Sequence, residues 1–345
     1  DLTGVPPSQE EMKAFLDDKS ADAYEKVVDR LLASQRYAEM QTMRWLDAVR
    51  YSDTAGFHGD NPWPAWPYRD YVLQSFLKNK PFDQFTREQI AGDLIPNATR
   101  EQKVASAFNR LNRASAEGGI QPKEYLAKYG ADRVRTVSTV WLGATVGCAE
   151  CHDHKFDPIP TRDYYALAGI FKSTKVLDIL KKPRMWHENP LVIPEEQAVI
   201  EAHQKKVAAQ QQQVDGLLAE AKTLFQAANP GKALPKNVET ALPAPRQAEL
   251  QKLRNELTEL AKNAPEPPRA MGLAGGSVVD LPIHIRGSHL ELGEMVPRRF
   301  PLILASAEKA AFTPKQSGRL QLPEWLTSPD HPLTGGVIVN RVCRW

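Results

Sequence analysis

Cysteine is scarce in this chain. Three residues among 345 cannot build the disulfide framework that holds small exported domains together. A chain of this length can bury one to three hydrophobic cores without one. An excess of one charge is also missing. Lys and Arg total 44 against 42 Asp and Glu, so no bulk attraction to nucleic acid or to an anionic membrane surface is expected. No apolar run approaches the roughly 20 residues that cross a bilayer, so no transmembrane segment is expected in this chain. The opening Asp1-Leu2-Thr3-Gly4 lacks the basic and apolar regions of an export leader. The closing Asn340-Arg341-Val342-Cys343-Arg344-Trp345 reads as the inside of a helix. A mature or partial segment of a longer protein is therefore expected. No internal repeat is present. Hydrophobic residues at 42% and charged residues at 25% are those of an ordinary globular chain.

What is there is mostly helical pattern. Ser8 and Glu11 form a capping box that opens a helix over 9–18. Further helices are expected over 21–34 and 36–51, the latter on Met43, Leu46 and Val49 at helical spacing. Others are expected over 68–79, 82–91 and 100–111, the last capped by Thr99 with Gln102. A longer helix is expected from Pro122 to Gly147, and Thr161 is expected to cap one more. Residues 176–193 read as irregular connection. The Ala/Gln-rich stretch 194–226 and the periodic 246–262 read as an antiparallel helical hairpin. In 278–286 the text has strand character, limited by Pro282 to an edge or a bulge. The fold class is therefore mainly α. It comprises a helical domain over 1–175 that carries the chain's paired cysteines, a linker with a helical hairpin over 176–269, and the start of a second domain with a little β over 270–345.

The chemistry concentrates in Cys148-Ala149-Glu150-Cys151-His152. Covalent haem attachment needs two thiols that reach the two vinyl groups and an imidazole held under the iron, and Cys-x-x-Cys-His supplies all three in five residues. The expected cofactor is haem c, bound by Cys148, Cys151 and His152, with His152 as the proximal iron ligand. A zinc site using Cys148, Cys151 and His154 with one distant His is a rival, but no second compact ligand pair lies nearby. A dithiol redox pair is another, without the βαβ context such pairs usually occupy. Cys343, left over, is expected to be a small packed residue.

A second axial ligand would come from His58, His187, His203, His284, His289 or His331, or from a methionine; a vacant sixth position is the alternative. His58, in Gly56-Phe57-His58-Gly59-Asp60, and His289, in Arg286-Gly287-Ser288-His289, lie on glycine-bearing loops and are the two distal candidates. After the motif, His154, Asp153 and Asp157 are read either as hydrogen-bond partners of the cofactor, as carboxylates around a calcium ion, or as a plain Asp157-Pro158 turn. Trp63, Trp66 and Tyr68 form a proline-spaced aromatic cluster. Glycan stacking is one reading and buried packing the commoner one. Glu117, beside two glycines, reads as a turn residue rather than a general acid.

Several strings together resemble a known family. They are Val27-Val28-Asp29-Arg30-Leu31-Leu32-Ala33-Ser34, Arg44-Trp45-Leu46-Asp47, Arg50-Tyr51-Ser52-Asp53, Tyr68-Arg69-Asp70-Tyr71-Val72, Pro81-Phe82-Asp83-Gln84-Phe85, Gln89-Ile90-Ala91-Gly92-Asp93-Leu94, and Thr139-Val140-Trp141-Leu142-Gly143 through the cysteine motif to Pro158. The chain resembles the secreted planctomycete proteins of uncharacterised function that carry a cytochrome-c-like label. Its first domain is covered nearly end to end, and a paired second domain is entered at Leu281-Pro282-Ile283-His284. The resemblance implies export and a cytochrome-like module, and names no reaction. The family's methionine before a Glu-Glu-Gly-Gly-like turn is absent from Asn112-Arg113-Ala114-Ser115-Ala116-Glu117-Gly118-Gly119, so the resemblance supplies no methionine ligand there. The resulting expectation is an exported, periplasmic or extracellular c-type cytochrome module that passes single electrons to a redox partner protein. The alternatives are a haem enzyme of peroxidase or oxidase type, with a glycan-related substrate, and a metal-stapled scaffold.

Overall fold

The computed structural model describes residues 2–57, 59–115, 121–179, 185–192, 194–267, 269–305, 312–313 and 315–344. It is mainly α, as the periodicity predicts, with a few very short strands. Residues 1–189 together with 269–345 make one compact unit, and residues 190–268 make another.

The larger unit opens with α1 (Gln9–Asp17), α2 (Ala23–Leu32) and α3 (Gln35–Ala48). The Ser8–Glu11 capping box forms as expected, with the Ser8 side chain accepting from the Glu11 N–H and the Glu11 carboxylate accepting from the Ser8 N–H at 2.8 Å. In α3 the period is the expected one and Val49, at its C-terminal cap, is buried as expected, but the buried phase leaves Met43 out. Met43 is 57% exposed, and the buried face is Ala38, Gln41, Thr42 and Trp45. Trp45 sets that phase because its indole removes more apolar area from water than any methionine nearby.

Trp45 is the hub of the core formed with α4 (Trp66–Leu77), α5 (Phe82–Ala91) and the turn after α7 (Pro122–Val137). Its ring lies 4.9 Å from Phe85 and 5.8 Å from Trp141, centre to centre, and Trp141 meets Phe108 edge-on at 5.2 Å. Each such pair contributes about 0.5–1.5 kcal/mol beyond area burial. The polar atoms of this core's aromatic rings are matched. Trp45 Nε1 donates to Gln89 Oε1 at 2.9 Å, Tyr68 Oη donates to the same oxygen, and Trp141 Nε1 donates to Thr86 Oγ1 at 2.9 Å. The α6 helix (Arg100–Ala105) carries the expected Thr99–Gln102 box but tightens to a 3₁₀ turn after Ala105 rather than running to 111.

The expected Pro122–Gly147 helix is also shorter. It turns π-helical over Ser138–Leu142 and stops at Gly143, which is left-handed with φ 60°. Ser138 Oγ bonds back to the Val134 and Arg135 carbonyls, loosening the turn. Arg341, on the closing helix Thr334–Arg344, donates to the Thr139 and Val140 carbonyls that the wider turn exposes. Cys343, on that helix, is exposed rather than packed, because the face turned to the protein is the one that carries Arg341 and Val337.

α8 (Thr161–Lys172) is buried along most of its length. The short strands pair β1 (Thr174–Lys175) with β6 (Ala274–Gly275), β2 (Leu177–Ile179) with β3 (Met185–Trp186), β4 (Glu188–Pro190) with β5 (Arg269–Met271), and β7 (Leu281–His284) with β8 (Leu292–Val296), and of these β1, β7 and β8 pack on α8. Pro282 sits in the two-stranded β7–β8 hairpin beside a register shift, the edge-and-bulge setting its missing N–H demands. The smaller unit is α9 (Pro194–Ala228) and α10 (Ala244–Lys262). Gln210 bonds Glu256 while Glu220 pairs with Arg246, so the two helices run antiparallel. Val214, Leu217, Ala221, Val238, Leu242 and Leu250 form its core.

Candidate functional site

The cysteine motif leaves the core on a 3₁₀ turn, Val146–Glu150. Val146 and Ala149 point inward and are buried, which forces Cys148 and Cys151 outward, and both are free, exposed thiols. The turn is pinned at Glu150. Its carboxylate pairs with Arg135 of α7, and its carbonyl accepts from Tyr165 Oη of α8 at 2.8 Å.

The two histidines that follow are held in opposite ways. His152 is exposed, and its Nδ1 lies 2.7 Å from the Asp153 carbonyl oxygen. A carbonyl only accepts, so Nδ1 carries the proton and Nε2 is left with a lone pair and no protein partner among the described residues. His154 Nδ1 instead accepts from the Asp157 N–H at 2.8 Å and the Phe156 N–H at 3.3 Å. Its Nε2 is therefore the protonated nitrogen and donates to Thr145 Oγ1 at 2.8 Å. Both nitrogens of His154 are engaged in closing the loop, which removes it from the zinc donor set. The Asp153 carboxylate accepts from the Thr161 N–H at 2.7 Å and caps α8, a task the sequence pattern assigns to Thr161 itself. Among the described residues, no three His, Cys, Asp or Glu side chains gather around a metal-sized point.

The β7–β8 hairpin reaches this turn. Tyr165 Oη also faces the His284 carbonyl at 3.2 Å, and its ring lies 5.2 Å from the His284 ring. Just beyond β7, Gly287 sits at φ 76°, and a Cβ there would lie 2.7 Å from Cys151 Sγ. Glycine is needed twice over, for the left-handed backbone and for the room it leaves the thiol. The segment also exposes Ile285 and Leu290, the latter 77% exposed.

Of the two distal candidates, His58 lies outside the described residues. His289 lies on the hairpin and lines a cavity of ≈ 650 Å³ together with Glu150, the middle of the motif. His284 lines the same cavity. Burial first, then the neighbouring His289 and Lys172, hold its imidazole below the ordinary histidine value. Burial and Arg133 likewise hold Lys172 below the ordinary lysine value. Burial pushes Arg133 down to about 10, so it is still cationic at neutral pH, and it donates to the Asn109 and Phe171 carbonyls. No sequence motif announces this basic wall. Its one signal is Gly130 in mid-helix, followed by two histidines five apart on the hairpin.

His331 is structural, since its Nδ1 accepts from the Thr334 N–H at 3.2 Å and burial lowers its pKa. The aromatic cluster is dispersed. Tyr68 is in the core, Trp66 is 48% exposed, and Trp63 packs on Trp186 at 5.2 Å. Between those indoles Arg110 lies 4.6 Å from the Trp186 ring centre and donates to the His187 carbonyl at 2.6 Å. Glu117 lies outside the described residues.

No helix among the described residues is long and apolar enough to cross a membrane. No curated protein and no solved structure matches the chain. Residues 1–176, just over half of the chain, match the family model PSCyt2, described as a protein of unknown function (DUF1549), and the chain belongs to that family.

Proposed function

We propose that the chain is a c-type haem module that transfers single electrons, with haem c attached through Cys148 and Cys151 and with His152 as an iron ligand. The observation that carries this reading is the 2.7 Å contact between His152 Nδ1 and the Asp153 carbonyl oxygen. The Nδ1–H of His152 is committed to that carbonyl, so the free lone pair is on Nε2, directly after a turn that presents both thiols. Metal-bound histidines commonly have one ring nitrogen held by a carbonyl or carboxylate in this manner.

The donor set fits such a group. Two free thiols and an unengaged imidazole nitrogen stand within five residues, and Gly287 keeps the hairpin backbone from crowding Cys151. When bound, the iron would supply a reversible one-electron couple whose potential depends on its ligands and on burial. The protein's own part is to orient the His152 ring and to hold the turn through Arg135, Tyr165 and His154. Attachment outside the cytoplasm is part of the same proposal, and so is a redox partner protein that meets the exposed turn.

The test is intact mass under denaturing conditions, on protein exported from cells with a haem-attachment system. A mass one haem above the chain is expected, lost in Cys148→Ser/Cys151→Ser. A bare chain mass from such cells would sink the proposal.

A further inference from the structure

The cavity beside Glu150 is a cleft bounded by α7, α8, β1 and the β7–β8 hairpin, and at ≈ 650 Å³ it has the size of a small-molecule site. Its body is apolar, formed by Leu126, Tyr164, Ala168, Phe171, Val176 and Leu281. Its charged groups are nearly all of one sign. Lys123, Arg133, Lys172 and Lys175 line it with His284 and His289, while its one described carboxylate, Glu150, is paired with Arg135. Lys172 meets no carboxylate and no hydrogen-bond acceptor among the described residues.

A glycine keeps the space open. Gly130 lies in the middle of α7 and lines the cavity. Its φ is not positive, and a Cβ built on it meets no atom within 4 Å. Neither backbone strain nor close packing calls for glycine there, although glycine weakens a helix interior. What its missing side chain provides is volume.

We propose that this cavity binds a small amphipathic carboxylate, with the hydrocarbon body against Phe171 and Leu126 and the carboxylate facing Lys172 and Lys123. An apolar body is needed to gain from the walls. A single anionic group is needed because Lys123 and Lys172, which have no carboxylate partner among the described residues, attract a counter-charge. A neutral amphiphile leaves the cations unmatched, and a cationic one adds to the repulsion. The proposal does not rest on haem attachment, because neither thiol lines the cavity.

Octanoate is the probe, titrated calorimetrically into the full chain beside 1-octanol and octyltrimethylammonium. One octanoate per chain is expected, with octanol weaker and the cation weakest. Lys172→Glu should weaken octanoate about tenfold, as expected when a charge-assisted contact of this kind is lost. Gly130→Leu, which adds a good helix former and fills the space, should abolish binding while the thermal melt is kept or raised. Leu126→Trp is the second filling variant, in case the first distorts α7. Absence of saturable octanoate binding, equal binding of the cation, or unchanged binding in both folded filling variants would overturn the proposal.

Discussion

Around Trp45 the polar atoms of the large aromatic side chains have partners: the Trp45 and Trp141 N–H groups and the Tyr68 hydroxyl are all bonded inside the core. Around Cys148, on the turn that leaves this core, two exposed thiols and the Nε2 of His152 have none among the described residues. Satisfied and buried groups stabilise a fold, whereas accessible groups with lone pairs to offer can react. The same contrast recurs over three residues in His154 and His152. One has both nitrogens bonded within the loop, and the other has one nitrogen oriented and one free.

The contrast breaks most visibly at the hub. Trp45→Ala should cost about 3–5 kcal/mol through the cavity it leaves among Phe85, Trp141 and Phe82. Equilibrium denaturation should register this as a large fall in midpoint. A loss below about 1 kcal/mol would mean that Trp45 is not the hub.

The two histidines sharpen the comparison in one experiment on haem-free protein. His154→Ala should destabilise by about 1–3 kcal/mol, since two backbone N–H groups and the Thr145 hydroxyl lose their partner. His152→Ala should stay within about 0.5 kcal/mol, as surface changes do. Equal effects in parallel melts would contradict the assignment of loop-closing and ligand-offering roles.

Gly130→Ala should raise stability by about 0.5–1 kcal/mol, because the helix gains and nothing clashes. A fall in melting temperature would show that the space around Gly130 is needed for packing.

The smallest effect is one of pH. His284 and His331 are both held below the ordinary histidine value, chiefly by burial. Such groups bind protons more readily when unfolded. Their contribution is present above the ordinary histidine value and is lost as pH falls toward the folded one. Melting temperature should therefore drop on acidification from neutral pH, and less steeply in His331→Gln. Equal slopes in the parent and this variant would remove His331 from the account.

Much of the fold is legible in the residues alone. The capping boxes at Ser8 and Thr99 form where their side chains predict, because a cap is a contact over three residues. The antiparallel hairpin of α9 and α10 is visible in its periodicity, and the family in strings such as Tyr68 to Val72. The departures share one cause. The exposure of Met43, the stop after the π-turn whose carbonyls Arg341 caps, the exposure of Cys343 and the cap on α8 each depend on a partner distant in sequence or outside the local pattern.

The motif shows where the division lies. Five consecutive residues determined which atoms are available, two sulfurs and an imidazole, because covalent spacing is a local property. That His152 offers Nε2 while His154 offers neither nitrogen was decided only in three dimensions. The carbonyl of Asp153, the N–H of Asp157 and the hydroxyl of Thr145 had to be placed by the fold before either proton had a position. The cavity beside Glu150 is tertiary throughout: its basic groups come from α7, α8 and a hairpin more than a hundred residues further on. No sequence pattern brings them together, because their mutual repulsion opposes the arrangement and only the packing of the surrounding core enforces it.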